Sequence, residues 1–161
     1  MTIEIGDTLP DASFTTMTAE GPSKLSTADV FGGRKVVLFA VPGAFTPTCH
    51  MKHLPGFIAR ADQLKAKGAD TIACVSVNDV FVMDAWAKST GAGGKIMFLA
   101  DGNGDFARAI GMDVDASGFG MGTRSKRYSM VVENRRVTAL NVEPAPGQAI
   151  ESGADRLLEV L

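Results

Sequence analysis

Two kinds of hydrophobic pattern alternate along the chain. "KVVLFAVP" (35–42) is an unbroken, β-branched apolar run, the pattern of a strand buried on both faces. "DTIACVSVN" (70–78) and "KIMFLAD" (95–101) read the same way. Between the first two runs, Leu54, Phe57, Ile58, Ala61 and Leu64 recur at helical spacing, and Gly68 closes that helix. "DVFVMDAWAKS" (79–89) predicts a helix capped by Asn78 or Asp79, "GDFARAIGM" (104–112) a short helix, and "SGADRLLEVL" (152–161) a terminal one. Residues 126–143 alternate in two runs around Glu133-Asn134, which predicts a hairpin. The Gly-rich "GMDVDASGFGMG" (111–122) reads as a loop.

Crossover units followed by an antiparallel pair predict an α/β fold, a central mixed sheet flanked by helices, and suit a thioredoxin-like sheet. A length of 161 residues fits one domain over 1–161. The formal charge of −2 carries no nucleic-acid footprint. Of the clustered cations Arg124, Lys126, Arg127, Arg135 and Arg136, four read as a solvated strand edge. The start "MTIEIGDTLPDASF" lacks the pattern of a secretory leader, and the longest apolar stretch, 36–42, is too short to span a bilayer. The expected location is a reducing cytoplasm, where two cysteines are reactive or buried rather than bridged.

The candidate chemistry sits in "VPGAFTPTCH" (41–50). Thr46 is a good helix N-cap residue and Pro47 a good first helical residue, which places Cys49 in the first turn. The backbone N–H groups there lack intrahelical partners and favour an anion, so the address favours a thiolate. The other reading is an inert buried cysteine. Cys49 and His53, at i,i+4, are two ligands at most of a metal site that would need Cys74 or a carboxylate to go further. Surface positions account for His50 and His53 otherwise. Cys74, within a buried strand, is either a small core side chain or a resolving thiol for Cys49. Pro55 lies inside the helical run without an N–H for the Met51 carbonyl, which predicts a kink.

"VPGAFTPTC" carries Pro42, Thr46 and Cys49 in the spacing P-x-x-x-T-x-x-C and resembles the active-site motif of the peroxiredoxins, the peroxiredoxin-5 (type II) branch in particular. The likeness runs on through "KHLPGF", "VSVNDVFVMDAWAK", "FLADGNGDFARAIGM" and "GTRSKRYSMVVENRRVTALNVE", almost the whole chain. The resemblance implies a thiol peroxidase that reduces hydrogen peroxide and alkyl hydroperoxides, with no metal or organic cofactor. Cys49 would be the peroxidatic cysteine, Thr46 the hydroxyl that bonds thiolate and peroxide, and Pro42 the shield against water. Arg124 in "GTRSKRY" would be the arginine that holds the thiolate. A Thr46 hydroxyl facing peroxide conflicts with one that caps the Cys49 N–H, and the first arrangement is the one expected. Members of this branch with a resolving cysteine carry it after "NVEP"; the 18 residues from "NVEP" through "DRLL" hold none here. The Cys49/Cys74 pair instead resembles plant and bacterial type II members, which implies recycling by glutathione with glutaredoxin, or by thioredoxin. The resemblance also implies a homodimer, with Phe45, Trp86 and Phe119 as candidates for its apolar contact. The rival reading is a metal-binding or redox-sensing module using Cys49, His53 and Cys74.

Overall fold

A computed structural model describes residues 2–145 and 147–161. Its first elements are a hairpin, β1 (Ser13–Thr18) and β2 (Gly21–Ser26), that the hydrophobic pattern does not announce. α1 (Thr27–Phe31) follows, with a reciprocal cap in which Ser26 accepts the Asp29 N–H and Asp29 accepts the Ser26 N–H. β3 (Lys35–Val41), β4 (Thr71–Ser76) and β5 (Met97–Ala100) are the three apolar runs, paired parallel as β3–β4 and β4–β5. α2 (Leu54–Ala66) crosses from β3 to β4, and α3 (Val80–Thr90) from β4 to β5. Asp79, rather than Asn78, caps α3 by accepting the Val82 N–H. After α4 (Asp105–Ala109), the stretch 111–122 expected to be a loop contributes β6 (Asp113–Asp115) to a two-stranded ribbon with β7 (Thr123–Ser125), which follows it. β8 (Tyr128–Glu133) and β9 (Arg136–Val142) form the expected hairpin, and α5 (Ala154–Val160) ends the chain.

The sheet order is β2-β1-β5-β4-β3-β8-β9. β8 runs antiparallel to β3, so the sheet is mixed, as a thioredoxin-like fold requires. Period-2 alternation divides it into two faces. Val37, Phe39, Val41, Ile72, Cys74 and Val131 point to one layer, where α2, α3 and α5 pack. Val36, Leu38, Ala40, Ala73, Val75 and Val132 point to the other, against α1 and α4. Cys49 belongs to the first layer, beyond the carboxyl end of β3, where open α/β sheets place their ligands.

Between β3 and α2 the helix does not begin as a regular α-helix. Residues Cys49–His53 form one π-helical turn, in which the Leu54 N–H donates to the Cys49 carbonyl. The irregularity expected from Pro55 therefore takes the form of a widened turn just before it. A proline here cannot continue the i→i−4 ladder, and an extra residue in the turn accommodates the break.

Candidate active site

The loop from Pro42 to Thr46 is held by a few short bonds. Asn78 Oδ1 accepts the Ala44 N–H at 3.0 Å, and Phe45 sits at φ 65°, a left-handed conformation costly for a non-glycine residue. The Thr46 carbonyl accepts the His50 N–H at 2.8 Å, so Pro47 opens the helix and Cys49 lies in its first turn. The Thr46 hydroxyl caps no helical N–H and does not donate to sulfur. Its one proton goes to the Gly43 carbonyl at 2.6 Å, leaving its lone pairs to accept.

Cys49 is fully buried. The cation on its sulfur is Arg127, whose Nη2 donates to Sγ at 3.0 Å. Arg124, the arginine expected in this role, lies elsewhere. Its Nε donates to the Met121 carbonyl at 2.9 Å and its Nη1 to the Val77 carbonyl at 3.0 Å. Arg124 stands on β7, outside the main sheet, and its guanidinium fastens the β6–β7 ribbon to the end of β4. Arg127 directly precedes β8 and shares the parity of Val131, so it points into the layer that holds Cys49.

His53 is buried too, not a surface residue. Its ring lies between Phe39 and Phe57, with centroids 5.1 and 5.5 Å away. Arg127 Nη1 lies 3.0 Å from Nδ1, and the Ser152 carbonyl lies 2.9 Å from Nε2. Arginine only donates and a carbonyl only accepts, so Nε2 carries the proton and the ring is neutral. Burial among aromatic rings pushes its pKa down to about 4, helped by the nearby Arg127 charge, although the Ser152 carbonyl works the other way. The chain of contacts continues: Glu143 Oε2 accepts the Ser152 N–H at 2.9 Å and its hydroxyl at 2.8 Å. Burial opposes the Glu143 charge, but these bonds and the Glu151 N–H hold its carboxyl below the usual range.

Both ring nitrogens of His53 are thus committed, and no group of three or more metal-binding side chains occurs among the described residues. His50 is engaged as well, accepting the Trp86 Nε1–H at 3.0 Å. The metal-site reading of Cys49, His53 and Cys74 has no support. Cys74 is buried and unbridged on β4, and burial, with the neighbouring Cys49, pushes its thiol well up. Trp86 is core, packed edge-on against Phe98, so it is not part of a surface patch; Phe45 and Phe119 are exposed.

Pro42, Thr46 and Arg127 line one cavity of about 590 Å³, whose wall also holds Arg124, Val114, Phe119, Met121 and Val142. Cys49 itself lies behind this lining and is linked to the cavity through Arg127, which both lines it and donates to the sulfur. A cation on a cysteine sulfur, at the wall of a largely apolar cavity that also holds a hydroxyl with free lone pairs, suits attack by sulfur on a polar oxidant.

Comparison with known proteins agrees. The redoxin family model matches residues 4–158. The chain is 49% identical to peroxiredoxin-2C of Oryza sativa subsp. japonica over 99% of its own length and 98% of that protein. It is 44% identical to peroxiredoxin-2B of Arabidopsis thaliana over 99% and 98%. This chain belongs to the peroxiredoxins. Among solved structures, reduced Prx3 of Vibrio vulnificus in complex with hydrogen peroxide superposes with a TM-score of 0.94 at 52% identity, covering 99% of each chain. Peroxiredoxin 5 of Alvinella pompejana superposes with a TM-score of 0.86 at 36% identity, covering 98% and 96%. The peroxiredoxin is of type II and is a thiol-dependent peroxidase on a thioredoxin-like fold.

Proposed function

We propose that Cys49 is the peroxidatic thiol and that Arg127, rather than Arg124, is the cation that activates it. The observation that carries this is the 3.0 Å bond from Arg127 Nη2 to Cys49 Sγ beside a cavity lined by Pro42 and Thr46. The thiolate attacks the terminal oxygen of a hydroperoxide ROOH. A sulfur–oxygen bond forms as the O–O bond breaks, sulfur is oxidised by two electrons to sulfenic acid, and RO⁻ leaves to take a proton from water. Arg127 faces the charge growing on the leaving oxygen. Thr46, its proton held by Gly43, accepts the hydroperoxide O–H and orients it. Pro42 keeps water from the sulfur. Rapid mixing of reduced protein with peroxide, followed by intact mass, should show one oxygen added at Cys49. A Cys49→Ser variant that turns over peroxide at the wild-type rate overturns the assignment.

External thiols complete the cycle in this reading: glutathione with glutaredoxin, or thioredoxin, attacks the sulfenic sulfur and expels water, and a second thiol releases Cys49 as thiolate. Burial of Cys74 in the central sheet favours an external reductant over an internal one. Two free, buried cysteines suit a reducing cytoplasm. Exposed Phe119, Val114 and Val142 share the rim of the cavity, and this apolar rim supports a homodimer. Phe119→Glu should shift sedimentation toward monomer; an unchanged sedimentation coefficient removes this face from the dimer.

A further inference from the structure

Arg127 acts on Cys49 only if its guanidinium is aimed at the sulfur. A guanidinium has five N–H donors, and only one orientation places Nη2 on Sγ. The side chain that accepts from Nη1 is His53, which lies on the same helical segment as Cys49, four residues on. We propose that His53 is a positioning residue for the peroxidase reaction: its Nδ1 aims the Arg127 fork at Cys49 without setting a further negative charge against it.

Three features of the surroundings fit this role. The Ser152 carbonyl takes the Nε2 proton, which leaves Nδ1 as a lone pair facing arginine. The Phe39 and Phe57 rings fix the plane of the imidazole. Glu143 holds Ser152 through its N–H and hydroxyl, so the far end of the relay is anchored by a carboxylate that is itself one residue beyond the end of β9. The charged and titratable groups facing this histidine are Arg127 and Glu143, with Cys49 across the guanidinium. A carboxylate in place of the imidazole would compete with the thiolate for the arginine; a neutral acceptor does not.

The inference rests on Cys49 and Arg127 acting as proposed, and isosteric substitutions separate it from that reading. In His53→Asn, Oδ1 replaces the Nδ1 acceptor and the Ser152 bond is lost. In His53→Gln, the amide N–H replaces Nε2 and the Arg127 acceptor is lost. His53→Asp matches Asn in shape but adds a charge. The second-order rate constant with hydrogen peroxide is measured by stopped flow, beside the pH profile of Cys49 alkylation. His53→Asn should stay within about threefold of wild type, whereas His53→Gln and His53→Asp should fall by about tenfold or more. Their alkylation profiles should move to higher pH. If His53→Gln matches wild type while His53→Asn is slow, the histidine only ties down the C-terminal segment and the proposal is overturned. Equal rates for His53→Asn and His53→Asp also overturn it, since charge would then be irrelevant. Should the buried Asp variant not fold, the Asn–Gln pair decides alone. Loss of turnover in Cys49→Ser, measured alongside, keeps a failure here distinct from a failure of the peroxidatic assignment.

Discussion

At the scale of single residues, the two arginines provide a direct contrast. Arg127→Met removes the donor on Cys49 and should lower the peroxide rate constant by about two to three orders of magnitude. Arg124→Met should lower it by less than tenfold but destabilise the fold by about 1–3 kcal/mol, because the Val77 and Met121 carbonyls lose their donor. Stopped-flow rates beside thermal melts test both. Gly43 is a third position with a defined constraint. A Cβ there would lie 3.0 Å from Thr46 Cγ2 and 3.2 Å from Met121 Cε. The methionine can move aside but the β-branched threonine is stiff. Gly43→Ala should therefore displace Thr46 and slow peroxide reduction several-fold while the melting temperature changes little. Sequence pattern located Cys49 because helix-start chemistry is local, carried by Thr46, Pro47 and the cysteine itself. It missed Arg127 because the contact spans 78 residues. One signal was present: counting by twos back from Val131 puts Arg127 on the face of Cys49. The family motif "GTRSKRY" holds both arginines three residues apart, and strand parity, not the motif, distinguishes them.

At the scale of elements, what was legible followed burial on both faces. β3, β4 and β5 stood out as unbroken apolar runs because the sheet interior leaves them no polar face. The β1–β2 hairpin did not, since β2 is an edge strand whose "GPSKLS" is largely exposed and carries Pro22. The β6–β7 ribbon escaped for the same reason: all three β6 residues are exposed. The turn of the predicted hairpin lies one residue beyond the expected pair, with Asn134 at φ 47° and Arg135 at φ 70°, the left-handed pair that a two-residue loop demands. Helix starts were read from cap chemistry, and that chemistry has a measurable weight. The Asp79 carboxylate accepts the Val82 N–H at 2.8 Å, so Asp79→Ala should cost about 1 kcal/mol and lower the melting temperature without changing the peroxide rate. A loss of activity larger than the loss of stability would show that α3 also steers the Asn78–Ala44 bond, and with it the active-site loop.

At the scale of the whole molecule, the relay from Cys49 to Glu143 ties the active-site helix to the segment before α5, so the protonation of its one histidine should register in global stability. His53 has an ordinary pKa of 6.5 when exposed and about 4 in the folded protein. Between those values the unfolded chain binds the proton and the folded chain does not, so stability rises with pH across that window. The contribution is complete above pH 6.5 and is lost as pH falls toward 4; below that, both states are protonated and no further loss arises from this group. The full shift corresponds to about 3 kcal/mol. Glu143, held below its usual range, adds a loss of the same sign at lower pH, as its bonds to Ser152 fail. The buried Asp101 opposes it: burial raises its pKa, so its protonation favours the folded state. A comparison of wild type with His53→Asn isolates the histidine, because Asn does not titrate while Glu143 and Asp101 remain. Denaturant melts at pH 7.5 and 4.5 should show a pH-dependent loss larger in wild type than in His53→Asn by about 2–3 kcal/mol. Equal losses in the two proteins would mean that the folded state admits a proton on His53, and that the imidazole between Phe39 and Phe57 is not held neutral by its surroundings.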